Sequence, residues 1–172
     1  MLKLAGAILI IGASVGMGYS KCRELSLHEK NLEDFLQLIL CLKGEIRCGN
    51  SSLTEALRDA ASRCQGTYKG FFYGAASCME TNTEENLSVI FKNCTEQYLT
   101  ETCLTDEEKR KISLLGERLG YLDREMQIRQ LELYEEDFQY LLQELQKDKT
   151  EKKKIYRSLG AMGGIMLAVL FW

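Results

Sequence analysis

Seven cysteines, one histidine and several carboxylate clusters are the side chains with which this chain could do chemistry. The thiols stand at Cys22, Cys41, Cys48, Cys64, Cys78, Cys94 and Cys103. No two form a C-x-x-C pair and their number is odd, so neither a zinc site nor a complete disulfide framework is indicated. Cys41 and Cys48 share a helix face but stand about 10 Å apart along it, beyond the reach of a bridge. Buried free thiols in a reducing compartment are the expected state. His28 falls among charged residues near a helix start. No thiol and orienting group are placed beside it, as nucleophilic catalysis would need. Glu135-Glu136-Asp137 reads as a solvated helix face, with an acidic docking surface as the functional alternative. A phosphate-cradling G-x-x-x-x-G-K-[ST] loop is absent. The sequence therefore assigns no catalytic, cofactor-binding or metal-ligating residue, and the chain is not expected to be an enzyme.

The elements that carry these groups are helices. The chain has no proline, and Lys21 to Arg157 is rich in Leu, Glu, Lys, Gln and Arg. Those are straight-chain residues that lose little freedom in a helix. From His28 to Arg47, Leu32, Phe35, Leu36, Ile39, Leu42 and Ile46 recur at three- and four-residue steps. Gly49-Asn50-Ser51 interrupts this pattern, and Ser52-Leu53-Thr54-Glu55 has the capping-box spacing that starts a second helix, to about Cys64. Gln65-Gly66-Thr67 is a turn, and Tyr68 to Met79 reads as a short helix whose Phe71-Phe72-Tyr73 belongs to the core. Thr83-Glu84-Glu85-Asn86 opens a helix through Cys94, with Leu87, Ile90 and Phe91 facing inward. Thr105-Asp106-Glu107-Glu108 is a second capping box, ahead of Ile112, Leu115 and Leu119. From Arg124 a long pattern of Leu131, Tyr134, Phe138, Leu141 and Leu145 makes a heptad-like seam directed toward the C-terminus. The expected fold is all-α, an antiparallel helical bundle.

Both ends of the chain are apolar. Leu4 to Tyr19 carries no charge and is followed by Lys21 and Arg23; a cluster from Lys147 to Arg157 precedes the uncharged Leu159–Trp172. As helices, Leu2–Ser20 reaches about 28 Å and Leu159–Trp172 about 21 Å, against a hydrocarbon core of roughly 30 Å. Basic residues tend to stay on the cytoplasmic side. The expectation is two flanking transmembrane helices, residues 1–20 and 158–172, holding a cytoplasmic domain of residues 21–157 on the cell membrane. Gly12 with Gly16, and Gly160 with Gly164, have the spacing that lets membrane helices pack closely. The basic collar suits lipid headgroups, and no basic stripe interleaved with aromatics favours nucleic acid. The opposing reading takes the first segment as a cleaved leader of a secreted or tail-anchored, cysteine-rich glycoprotein or receptor-like binding module. Its support is three N-x-[ST] triplets, at Asn50, Asn86 and Asn93.

Between the last two predicted helices stands Leu115-Gly116-Glu117-Arg118-Leu119-Gly120-Tyr121-Leu122-Asp123-Arg124-Glu125-Met126-Gln127. Its glycines allow a tight turn, and Asp123 is placed to cap the next helix, worth about 0.5–2 kcal/mol. Arg124 and Gln127 have no evident duty in that picture. Together with Glu117, Arg118 and Asp123 they are the residues expected to face a partner.

This stretch resembles the L-G-x-x-L-G-x-x-D-R-x-x-Q signature of the stage III sporulation protein AB family of endospore-forming bacteria. Met1 to Ile10, Leu42 to Leu57 and Tyr156-Arg157-Ser158-Leu159-Gly160 are similar to other segments of the family, so the likeness spans nearly the whole chain. Ser52 stands where the family often has proline, and the number of cysteines is also atypical. The resemblance implies a non-enzymatic scaffold in the mother-cell membrane around the forespore, part of a secretion-like channel complex between the two cells. It also implies a helical domain like the platform protein of type II secretion and type IV pilus machines. The implied partners are the membrane, a secretion-type ATPase (stage III sporulation protein AA) and other proteins of the same complex, with homo-oligomerisation left open and no cofactor.

Overall fold

A computed structural model of the chain describes the backbone of residues 2–48, 52–64, 66–81, 86–120 and 122–170. Side chains are described along this path except for most of those in residues 1–18 and 150–172. Among the described residues six helices follow one another: α1 (Leu2–Cys48), α2 (Leu53–Arg63), α3 (Thr67–Thr81), α4 (Leu87–Tyr98), α5 (Asp106–Leu119) and α6 (Arg124–Leu170). No strand occurs among the described residues, so the all-α expectation holds. The chain divides into two units, residues 30–142 and a second one that joins residues 1–29 to 143–172.

Local chemistry sets most helix starts. Ser52 and Thr105 each form the reciprocal capping box read from the sequence. Ser52 N–H donates to Glu55 Oε2 at 2.9 Å while Glu55 N–H donates to Ser52 Oγ at 3.3 Å; the Thr105–Glu108 pair repeats this at 2.7 and 3.3 Å. Two orphan amide donors are thereby satisfied at each start. Gly66, at φ +75°, makes the turn between α2 and α3 in a conformation that other residues adopt at a cost. One start differs from expectation. The helix expected to open across Thr83-Glu84-Glu85-Asn86 starts at Leu87, capped by Asn86, whose side chain accepts from Ser88 N–H at 3.1 Å. Residues 83–85 lie outside the described residues.

The core of the larger unit gathers one stripe from each helix. Leu32, Phe35, Ile39, Leu42 and Ile46 of α1 are buried as the periodicity requires, although Leu38 is fully buried where Leu36 is only partly so. Phe35 is the hub: its ring lies 4.6 Å from Phe138 of α6 and 5.7 Å from Tyr68 of α3. Phe71 and Phe72 meet Phe91 of α4 at 5.3 and 6.3 Å. Such offset and edge-on ring pairs stabilise beyond their buried area. In the α6 seam, Leu131 and Phe138 are buried, while Tyr134, Leu141 and Leu145 are half-covered. A pair of notches missed in the sequence joins α3 to α4: a Cβ on Gly74 would stand 2.7 Å from the Tyr98 ring, and one on Gly70 3.1 Å from it.

The flanking transmembrane helices are not borne out. Among the described residues no helix is long and apolar enough to cross a membrane. This finding corrects the expected membrane helices at residues 1–20 and 158–172, and with them the multi-pass cell-membrane placement. A spanning helix needs about 20 successive apolar residues. In the described part of α1 beyond Tyr19, Lys21, Arg23 and Glu24 break any such run, and Lys147, Asp148 and Lys149 do so in α6. Of the glycines expected to pack membrane helices, Gly16 is exposed with open space around it, and Gly12, Gly160 and Gly164 lie outside the residues whose side-chain surroundings are described.

The hydroxyl of Tyr68 is buried without a hydrogen-bond partner, and burial holds it un-ionised by pushing its pKa well up. Because an unmet buried polar group costs stability, Tyr68→Phe is expected to leave stability unchanged or raise it by about 1 kcal/mol. Phe35→Ala is expected to lose about 3–5 kcal/mol. Urea denaturation followed by circular dichroism distinguishes the two outcomes.

Candidate interaction site at the helix junction

The residues singled out between α5 and α6 meet at one place, where α1 and α5 end and α6 begins. Each helix end exposes amide or carbonyl groups that lack intrahelical partners. Asp123 meets the first need, accepting from Met126 N–H at 2.9 Å, as its position predicts. Gln127 reaches back, and its Nε2 donates to Leu119 O, the last carbonyl of α5, at 2.9 Å. Arg124 reaches farther: its Nε donates to Ile46 O at 2.7 Å and its Nη2 to Arg47 O at 2.5 Å. Both carbonyls belong to the last turn of α1. A guanidinium there satisfies two orphan acceptors and faces the negative end of the helix dipole.

Space explains the glycines. A Cβ on Gly116 would lie 2.6 Å from Phe91 Cβ and 2.7 Å from Leu87 O, so only glycine lets α5 lie this close to α4. At Gly120 the nearest atom would be Leu87 Cβ at 3.2 Å, and its φ of −70° is ordinary, so crowding and not backbone freedom favours glycine there. Tyr121 lies outside the described residues.

Ion pairs secure α6 against α1 beside the junction. Glu132 meets Arg47 at 3.1 Å, and Glu135 meets Lys43 in a close contact whose side chains are only 20% and 17% exposed. On the α5 side, Asp137 lies 3.7 Å from Lys111. The acidic run expected to be a solvated face is therefore partly structural: Glu135 and Asp137 are engaged and Glu136 faces solvent. In the smaller unit Lys149 pairs closely with Glu29.

Of the five residues expected to face a partner, Arg124, Gln127 and Asp123 thus hold helix ends. Glu117 and Arg118 are exposed on the last turn of α5, and Arg118 Nη1 donates to Gln130 Oε1 at 3.0 Å. What remains open at the junction is a polar surface to which Glu117 and Arg118 contribute, both exposed on the last turn of α5. Charged groups on helix ends can recognise a complementary protein surface. Among the described residues no group of His, Cys, Asp and Glu has metal-ligating geometry.

All seven cysteines are free thiols. Cys64 touches Cys41 and Cys94 touches Cys78, and burial, reinforced by the neighbouring thiol, pushes Cys64 and Cys94 each up to about 11. No disulfide supports the secreted glycoprotein reading. Of its acceptor triplets, Asn86 is spent as a helix cap, Asn93 is exposed on α4, and Asn50 lies outside the described residues.

A sequence model of the stage III sporulation protein AB family matches residues 3–172. The chain is similar to the Stage III sporulation protein AB of Bacillus subtilis (strain 168), 20% identical over 170 residues that cover 99% of each chain. No solved structure matches it.

Removing the guanidinium leaves two helix-end carbonyls without their partner. Arg124→Ala is expected to cost about 1.5–3 kcal/mol in urea unfolding, with Arg124→Lys between it and the parent because a point charge cannot make the forked contact. Gly116→Ala is expected to cost about 1–3 kcal/mol by overpacking. In native alkylation at pH 8, exposed Cys48 is expected to react first, and Cys64 and Cys94 only after denaturation, as peptide mapping would show.

Proposed function

This chain belongs to the stage III sporulation protein AB family, and we propose that it is a helical scaffold of the sporulation secretion complex that docks other components through the junction between α5 and α6. The family is non-catalytic. The observation that carries the proposal is the full-length family match, residues 3–172, joined to the position of the family's signature: it lies where three helix ends are fixed together. A surface built on fixed helix ends binds with little ordering cost, which suits a part whose task is to position others. The proposed partner is a secretion-type ATPase, stage III sporulation protein AA. The proposed contact residues are Glu117 and Arg118, supported on the frame that Asp123, Arg124 and Gln127 hold. The likeness to a secretion platform protein belongs to the same proposal.

Reversing the two outward charges tests it. In sporulating cells, Glu117→Lys with Arg118→Glu is expected to reduce co-purified ATPase by at least about tenfold, or roughly 1.4 kcal/mol, while helical content and thermal midpoint stay at parental values. Undiminished co-purification by the folded variant would sink the proposed contact.

A further inference from the structure

The outer face of α6 carries a second pattern, one the bundle does not use. Met126, Leu133 and Tyr140 are 43%, 49% and 67% exposed although they are large and apolar. They recur every seven residues, so at about 100° per residue they drift only about 20° per step and form one stripe. Two charges flank that stripe, Arg129 and Glu136, both exposed. Glu132, Glu135 and Asp137 of the same helix are paired with Arg47, Lys43 and Lys111, whereas among the described residues neither Arg129 nor Glu136 has an ion-pair partner.

The positions of these five residues are related by symmetry. Relative to Leu133, Met126 and Tyr140 lie about 10 Å to either side along the axis. Arg129 lies about 6 Å to one side and Glu136 about 4.5 Å to the other, displaced around the helix in the same direction by about 40° and 60°. A twofold axis perpendicular to α6 at Leu133 would set a second copy antiparallel. Leu133 would then meet Leu133, Met126 would meet Tyr140, and each Arg129 would fall within about 1.5 Å of axial register with Glu136 of the second copy. A parallel arrangement would instead carry the second copy's Arg129 and Glu136 to the opposite side of the seam, where neither meets its counter-charge.

We propose that two copies of this chain pair through the outer faces of α6, antiparallel about Leu133, with Met126 and Tyr140 as apolar contacts and Arg129–Glu136 as reciprocal ion pairs. The surface is distinct from the Glu117–Arg118 edge, and the proposal does not depend on the ATPase reading.

The test uses the full-length chain in sedimentation equilibrium, with circular dichroism to confirm folding. The parent is expected to dimerise. Arg129→Glu and Glu136→Arg, each placing like charges together at two symmetric positions, are expected to raise the dissociation constant by about tenfold or more. Their combination restores opposite charges and is expected to return to within about threefold of the parent. Orientation is read by cross-linking with a short bismaleimide and peptide mapping: a Met126→Cys copy is expected to link to a Tyr140→Cys copy at the introduced thiols, and not to its own kind. A parent that stays monomeric, a dimer indifferent to either reversal, a double variant as weak as the singles, or links from Met126→Cys to itself would each overturn the proposal.

Discussion

The contact on which the larger unit depends is the grip of Arg124 on the end of α1. One side chain at the start of the last helix satisfies two carbonyls at the end of the first. Charge-assisted hydrogen bonds of this kind are roughly twice as strong as neutral ones. The forked guanidinium also sets direction, so it places the N-terminus of α6 on the C-terminus of α1 and makes the two helices antiparallel within the unit. Beyond it, Glu132 and Glu135 meet Arg47 and Lys43 in the order that this antiparallel course requires, and Phe35 reaches Phe138. The four shorter helices connect these two long ones in sequence.

The signature stretch is best understood as three helix ends solved together. Leu115 and Leu119 are buried, the first glycine yields space to Phe91, and the aspartate, arginine and glutamine each satisfy a different terminus. A substitution at any of these positions disturbs a helix end that the others do not protect. That gives a structural reason for the spacing of the signature; Glu117 and Arg118 stand at its unspecified positions and hold none of the three helix ends.

What could be read from the chain divides by distance along it. Ser52–Glu55, Thr105–Glu108 and Asp123 were legible because donor and acceptor lie within three residues. The core stripe of α1 was legible because burial follows the helical period, apart from the exchange of Leu36 for Leu38. Arg124 was not, since its acceptors stand 77 and 78 residues upstream and nothing local announces them. Tyr98 keyed against Gly70 and Gly74 was missed for the same reason, although two small residues one turn apart in α3 were a visible signal. The acidic run at Glu135 to Asp137 misled because composition records charge but not the lysines across from it. The apolar ends misled in another way: a run of uncharged residues fixed attention on a lipid solvent, while no described helix has the length and apolarity to cross one.

The separation between Arg124 and Ile46 has a temporal meaning. Synthesis delivers the end of α1 some 78 residues before the side chain that closes it, an interval of about 4–16 s at ordinary ribosomal rates. Throughout that interval the Phe35 stripe lacks Phe138 and the last turn of α1 lacks its guanidinium. A nascent chain of this protein is therefore an unfinished bundle until its final helix emerges.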